Sequence, residues 1–421
     1  MLVVRLLTTV VILTIPLVVF GQANAPDNAP TPLSVLLAEA NANNPQISAA
    51  DRSWKAAKEV PREVSSLPDP TFTFQQFSVG SPKPFAGYTN SDFAYVGIGA
   101  SQELPYPGKL RLRGEAAQRA ADVRGAKVDA TRASIADTVK SDYLKLAYLQ
   151  MTLRILQENE GVLEQIIHNA TAHYEVGQGS QADVLQAQVE RTKVLREITL
   201  HREQTAEVEA QLKGILNRAQ DSPDIVTEPL TETPLQMSSA ALLQLVRTHN
   251  PEVRVDASSV RQGNAALNSA RREGKPDFSV AYMYQNTDRK YRDYYMFTLS
   301  IRLPRRGRTR AEIAEAADKL AQAQSTLDAH LQQQLAEVKQ EYVTATSDAE
   351  LLKEYREGMI PLSDAAYRST LNAYASNREA LVDVLRAITN VLQLKLDYAQ
   401  TIADHETALA HIETLTGATL R

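Results

Sequence analysis

The chain contains no cysteine, one tryptophan and eight phenylalanines in 421 residues. Without cysteine there is no disulfide and no N-terminal Cys to carry a lipid. So few large aromatics argue against a broad aromatic core, and the abundance of Ala, Leu, Gln, Glu, Lys and Arg suits long helices instead. An excess of one charge is also missing: the formal net charge is −5, so the global balance does not call for nucleic acid. Only one long apolar run is present, from Leu6 to Phe20 with Pro16 inside it; it follows Arg5 and leads to the small residues Gly21, Ala23 and Ala25. This is the layout of a secretory signal peptide, shorter than the ~20 residues of a spanning helix, and it predicts removal of residues 1–25 with a cut between Gly21 and Ala25. No later segment approaches a membrane-spanning helix, which leaves β-strands as the way across a bilayer.

The usual signatures of catalysis are missing as well. There is no phosphate-binding loop, and Gly97-Ile-Gly99 does not continue as a dinucleotide fingerprint. His168 and His173 are five apart and His405 and His411 six apart, so neither pair has the helical spacing of a zinc motif. No pair of acidic residues stands out as an acid and base. The sequence predicts no enzyme, no cofactor and no metal site.

What the chain does contain is a repeat. Asn44-Pro45 returns as Asn250-Pro251, Pro68-Asp69 as Pro276-Asp277, Leu104-Pro105 with Gly108 as Leu303-Pro304 with Gly307, Tyr143 as Tyr342, and Asp183-Val-Leu185 as Asp383-Val-Leu385. The order is kept, and the offsets stay between 199 and 208. The reading is a first copy at 26–216, a Pro-containing linker at 217–237 and a second copy at 238–421.

Each copy opens with two helices separated by the Asn-Pro break. A stretch of period two follows: Phe72-Thr-Phe-Gln alternates, as does Phe278-Ser-Val-Ala-Tyr-Met-Tyr-Gln, and Tyr295, Phe297, Leu299, Ile301 and Leu303 share one face. Strands are predicted at about 71–79 and 93–103, and at about 278–285 and 294–303, joined by loops Gly80–Asp92 and Asn286–Asp293 rich in Gly, Pro, Asn and Asp. Tilted strands of roughly ten residues cross a bilayer. Next comes a run of about 65 residues, from Gly108 to His173 and from Gly307 to Ala373, in which Pro361 is the only proline; as a helix it extends roughly 98 Å. Turns at 174–183 and 374–383 then reverse the chain into a returning helix.

Four strands cannot close a barrel in lipid, where unpaired edges are costly and the smallest bacterial barrels have eight strands. Three chains would give twelve strands and gather twelve long helices beneath them, around a hollow too wide for side chains to fill. The predicted architecture is therefore mainly α with a membrane β-barrel: two tandem repeats of helix, hairpin and long coiled helical hairpin, assembled as a homotrimer. A periplasmic coiled-coil structural or adaptor protein without a channel is the alternative, and it would show one helical hairpin flanked by lipoyl-like and barrel segments.

The whole pattern resembles the outer membrane efflux protein family, of which TolC is a member, and the tips carry the resemblance most specifically. Tyr174-Glu-Val-Gly177-Gln-Gly179 precedes Asp183-Val-Leu185-Gln-Ala187, and Tyr374-Ala-Ser-Asn377-Arg378-Glu379 precedes Asp383-Val-Leu385-Arg386-Ala387. Gly177 and Asn377 suit the left-handed conformation that a tight reversal requires. The resemblance implies a trimeric duct through the outer membrane into the periplasm. It also implies a periplasmic adaptor contacting the tips (Tyr174, Gly177, Gly179, Asp183, Asn377, Arg378, Glu379) and an inner-membrane transporter that supplies the energy. Leu-Pro-Tyr-Pro-Gly-Lys at 104–109 is similar to the branch served by pumps of the resistance-nodulation-division type.

It implies further that acidic residues of the second tip ring a gate. Asp383 matches the first such position, whereas Arg386 stands where the family often has another Asp, so closure by ion pairs, with Tyr374 as a latch, is the expectation here. The basic residues Lys109, Arg111, Arg113, Arg305, Arg306 and Arg308, where strands become helices, oppose the helix dipole and need another partner; lipid phosphates of the outer membrane are the expected one.

Overall fold

The computed structural model describes residues 30–78, 94–287 and 292–420. The expected signal peptide, the loop Gly80–Asp92, the strand ends at 79 and 93, and positions 288–291 of the second hairpin loop lie outside these residues.

The first copy runs α1 (Leu33–Asn43), α2 (Pro45–Ser65), β1 (Thr71–Phe77), β2 (Tyr95–Leu104), α3 (Lys109–Glu175) and α4 (Gln181–Ile215). The second runs α5 (Ser239–His249), α6 (Pro251–Glu273), β3 (Asp277–Asn286), β4 (Asp293–Arg302), α7 (Arg306–Glu354), α8 (Ile360–Ala375) and α9 (Leu381–Thr416). Among the described residues no helix is long and apolar enough to cross a membrane.

The Asn-Pro breaks do two things at once. Proline holds the preceding residue in extended backbone and fits the first helical turn. Asn44 accepts from the backbone N–H groups of Gln46 and Ile47 at 2.8 and 3.3 Å, and Asn250 from that of Val253 at 2.9 Å. Each amide also donates to the end of its own copy's returning helix, Asn44 to the Ile215 carbonyl at 2.8 Å and Asn250 to the Leu415 carbonyl at 2.9 Å. A buried asparagine thus caps one helix and closes another, at the same place in each copy.

The helix α3 has 67 residues, about 100 Å of rise. Its counterpart is not continuous: α7 passes into α8 through a wide π-type turn at Tyr355–Met359. Pro361 accounts for this, since its ring would collide with the carbonyl of Glu357 four residues earlier, and widening the turn relieves the clash. Toward the tips the two helical hairpins share one core, in which Leu156, Leu163, Ile166, Ala187 and Val194 of the first meet Leu381, Val384, Leu385, Ile388 and Val391 of the second.

The linker is ordered as a strap. Thr227 donates to the Gln150 side chain through N–H and hydroxyl at 3.1 and 2.9 Å, and Glu228 N–H donates to the Tyr143 hydroxyl. Farther on, Thr233 donates to Glu406 at 2.7 and 3.1 Å, and the buried His405 sets its two ring nitrogens on the carbonyls of Ala345 and Thr233. Glu232 pairs with Arg356 inside the π-type turn at 2.7 Å.

The strands form one antiparallel sheet of order β1-β2-β3-β4. Registers Phe74↔Ile98, Ile98↔Tyr284 and Tyr284↔Tyr295 put Phe72, Phe74, Ile98, Tyr282, Tyr284, Tyr295, Phe297, Leu299 and Ile301 on one face. The other face carries Thr73, Gly97, Gly99, Ser101, Ser279, Thr298 and Ser300, with Phe77, Tyr95, Met283, Tyr294 and Met296 toward its far end.

Candidate functional site

Three regions are candidates: the faces of the sheet, the strand-to-helix junctions and the tips.

Phe72, Phe297 and Leu303 are 80, 69 and 75% exposed, and Phe74, Ile98, Leu299 and Ile301 stand beside them on the same face. A contiguous apolar surface of this kind is stable only against an apolar medium. The opposite face is more mixed: Thr71, Thr73, Ser101, Ser279, Thr298 and Ser300 make the half nearer the helices small and polar, while Phe77, Tyr95, Met283, Tyr294 and Met296 occupy the other half. The sheet thus has two unlike faces, with β1 and β4 as its two unpaired edges among the described strands.

At the junctions the two copies differ. Lys109 is 1% exposed, its Nζ lying 2.9 Å from both Asp277 oxygens and 3.6 Å from Glu273, while Arg113 forks onto Glu273 at 2.7 and 2.8 Å. The Tyr106 N–H also donates to Asp277 at 2.9 Å. The expectation that Lys109 and Arg113 face lipid phosphates is corrected here: carboxylates of the second copy, more than 150 residues away, answer both charges inside the chain. Arg111 is exposed and paired with Glu115, four residues on. In the second copy Arg305 and Arg306 are exposed, and Arg308, 82% exposed, pairs with Glu312 one turn away.

At the tips both reversals close in the same way. Gly177 has φ 75° and Asn377 φ 52°. Gln178 N–H donates to the His173 carbonyl at 2.8 Å, and Arg378 N–H to the Ala373 carbonyl at 2.9 Å. Asp183 and Ser180 cap α4 reciprocally. Asp183 is thereby a capping residue of an exposed turn, whereas Asp383 binds Arg386 on its own helix at 3.1 Å. Tyr174, Gly177, Arg378 and Glu379 are exposed, and Gly179 packs closely, since a Cβ there would lie 3.2 Å from that of His173.

Tyr374 is the residue that joins the two tips. It is buried and stacked on His173 of the first hairpin, with ring centroids 5.1 Å apart and planes at 16°. Its hydroxyl has no hydrogen-bond partner among the described residues. Burial, with the Asp183 charge nearby, pushes that hydroxyl's pKa above the usual tyrosine value. The sequence marked Tyr374 but not His173, which gives no local signal of its role.

A model of the outer membrane efflux protein family matches residues 36–218 and 242–418, one stretch in each copy. The chain belongs to the outer membrane efflux protein family. Solved structures of the same fold include the outer-membrane channel OprN, at 15% identity with a TM-score of 0.78 over 92% of this chain and 90% of that one. The outer membrane protein VceC of Vibrio cholerae matches at 16% identity with a TM-score of 0.76, over 92% and 97% of the two chains. The MtrE outer membrane channel of Neisseria gonorrhoeae, in its open state, matches at 18% with a TM-score of 0.77, over 92% and 89%. No curated protein matches the chain in sequence.

Proposed function

We propose that the chain is the exit duct of a tripartite export system, conducting passively across the outer membrane and periplasm what an inner-membrane pump delivers. The observation that carries this is the sheet: an apolar face open to its surroundings, a more polar face behind it, and two unpaired edges among the described strands, continuing into long helical hairpins of which α3 alone rises about 100 Å. Three copies close those edges into a twelve-stranded barrel with twelve hairpin helices below it. A coiled-coil adaptor would have no use for such a sheet.

The exposed tip residues Tyr174, Gly177, Asn377, Arg378 and Glu379 are the surface offered to a periplasmic adaptor, and a transporter of the resistance-nodulation-division type is the pump suggested by residues 104–109. Arg305 and Arg306, beside the last apolar strand, are placed to meet phosphate groups of outer-membrane lipid. The tips, farthest from the sheet, are where the duct narrows, through Asp383, Arg386 and Tyr374. Purified protein in planar bilayers should give discrete conductance steps, and extraction from the native membrane under mild conditions should bring down an adaptor and a pump. A protein that inserts without conducting would refute the duct.

A further inference from the structure

The tandem repeat supplies a template for a contact that a single chain cannot make. Within the chain, β2 of the first copy pairs with β3 of the second, and just below that pairing Lys109 binds Asp277. The two hairpins share one internal register once the copies are aligned: continuing the first ladder places Asp69 opposite Glu103, and Asp277 lies opposite Arg302. Position 69 corresponds to 277 and position 103 to 302, so β1 is the equivalent of β3 and β2 of β4. The edge strand β4 with the start of α7 therefore has the build of β2 with the start of α3, and it lacks only the strand that follows.

We infer that β4 of one subunit pairs antiparallel with β1 of the next in the register of the β2–β3 pairing, and that Arg308 of the first binds Asp69 of the second as Lys109 binds Asp277. This rests on the trimeric reading of the duct and adds what holds its subunits in register. The observed pairs Gln102↔Val280, Ala100↔Tyr282 and Ser101↔Ala281 translate into Ile301↔Phe72, Leu299↔Phe74 and Ser300↔Thr73 between subunits.

Two independent features agree with it. A shift of one residue would exchange the faces of a strand, yet the translated register brings apolar Ile301 and Leu299 beside apolar Phe72 and Phe74, and polar Ser300 beside polar Thr73. Second, Arg308 is the positional equivalent of Lys109 and is 82% exposed, with an i,i+4 glutamate that holds it weakly, while Asp69, the equivalent of Asp277, is exposed. Glu103 and Arg302, 2.9 Å apart on the polar face, then alternate around the water-filled side of the barrel.

Because the chain has no cysteine, engineered pairs report without background. Oxidising Ser300→Cys/Thr73→Cys in membranes should give covalent dimers and closed trimers. Ser300→Cys/Thr71→Cys and Ser300→Cys/Gln75→Cys, each two residues off, should give little or none, since their Cα separation exceeds the ~7 Å that a disulfide tolerates. Crosslinking strongest in an off-register pair, or absent from all three in a protein whose native mass is trimeric, overturns the register while the trimer stands. A monomeric native mass overturns both. For the ion pair, Arg308→Asp should lower the temperature at which the trimer dissociates and Asp69→Arg in the same chain should restore it; no restoration removes the pair.

Discussion

His411 of α9 sets its Nδ1 3.1 Å from a carboxylate oxygen of Asp137 on α3, tying the second copy's returning helix to the first copy's long one. Asp137 raises the imidazole pKa above its ordinary value, against the opposing effect of burial, and Glu341 and Glu337 on α7 add to the rise. A raised folded-state pKa contributes stability that is complete below the unfolded value and is lost as pH climbs through the folded one. Glu341 acts in the same direction, because burial raises its carboxyl and favours its protonated form. The assembled protein should therefore melt at a higher temperature near pH 6 than near pH 8, and His411→Gln should flatten that difference. An unchanged pH profile in the variant would show that the pair does not couple the copies.

Gly125 on α3 faces the indole of Trp54 on α2, and a Cβ at that position would lie 3.0 Å from the indole nitrogen. Gly125→Leu should destabilise by about 1–3 kcal/mol through overpacking, although leucine is the better helix former. Trp54→Ala placed in the same chain should recover part of the loss. A Gly125→Leu melting temperature equal to the parent's would mean that α2 can move aside.

Asp383→Ala and Arg386→Ala each remove one partner of the tip ion pair, and each should raise the resting single-channel conductance. Parent-like conductance in both would exclude ion-pair closure and leave the duct itself untouched. Since the Tyr374 hydroxyl has no hydrogen-bond partner among the described residues, its part in closure is packing on His173: Tyr374→Phe should conduct like the parent and Tyr374→Ala should conduct more.

His405 supports the strap with both ring nitrogens on carbonyl oxygens at 2.9 and 2.8 Å. Replacement by Phe removes both contacts from a fully buried position, and one lost buried hydrogen bond costs about 1–3 kcal/mol, so His405→Phe should lower the melting temperature by several degrees. A drop no larger than that of an exposed substitution such as His168→Phe would mean that the strap is not held there.

The elements were legible in the sequence wherever local chemistry sets them. Asn44-Pro45 and Asn250-Pro251 announce caps, alternation in 278–285 announces a strand, and Gly177 and Asn377 announce left-handed turns. The basic junctions were less legible. Lys109 and Arg308 read alike in sequence, and only the arrival of Asp277 from 168 residues away buries one and leaves the other outside. The stack of Tyr374 on His173 and the strap from Thr227 to Thr233 depend in the same way on distant partners. Pro361 was visible as an interruption, but its accommodation by a wide turn rather than a break follows from helix packing on both sides.

The most direct test of the account is the native mass of the protein extracted in detergent from outer membranes. The account predicts three chains in one complex, each lacking a signal peptide. A single chain recovered from the soluble periplasmic fraction would contradict the barrel, the duct and the subunit junction together.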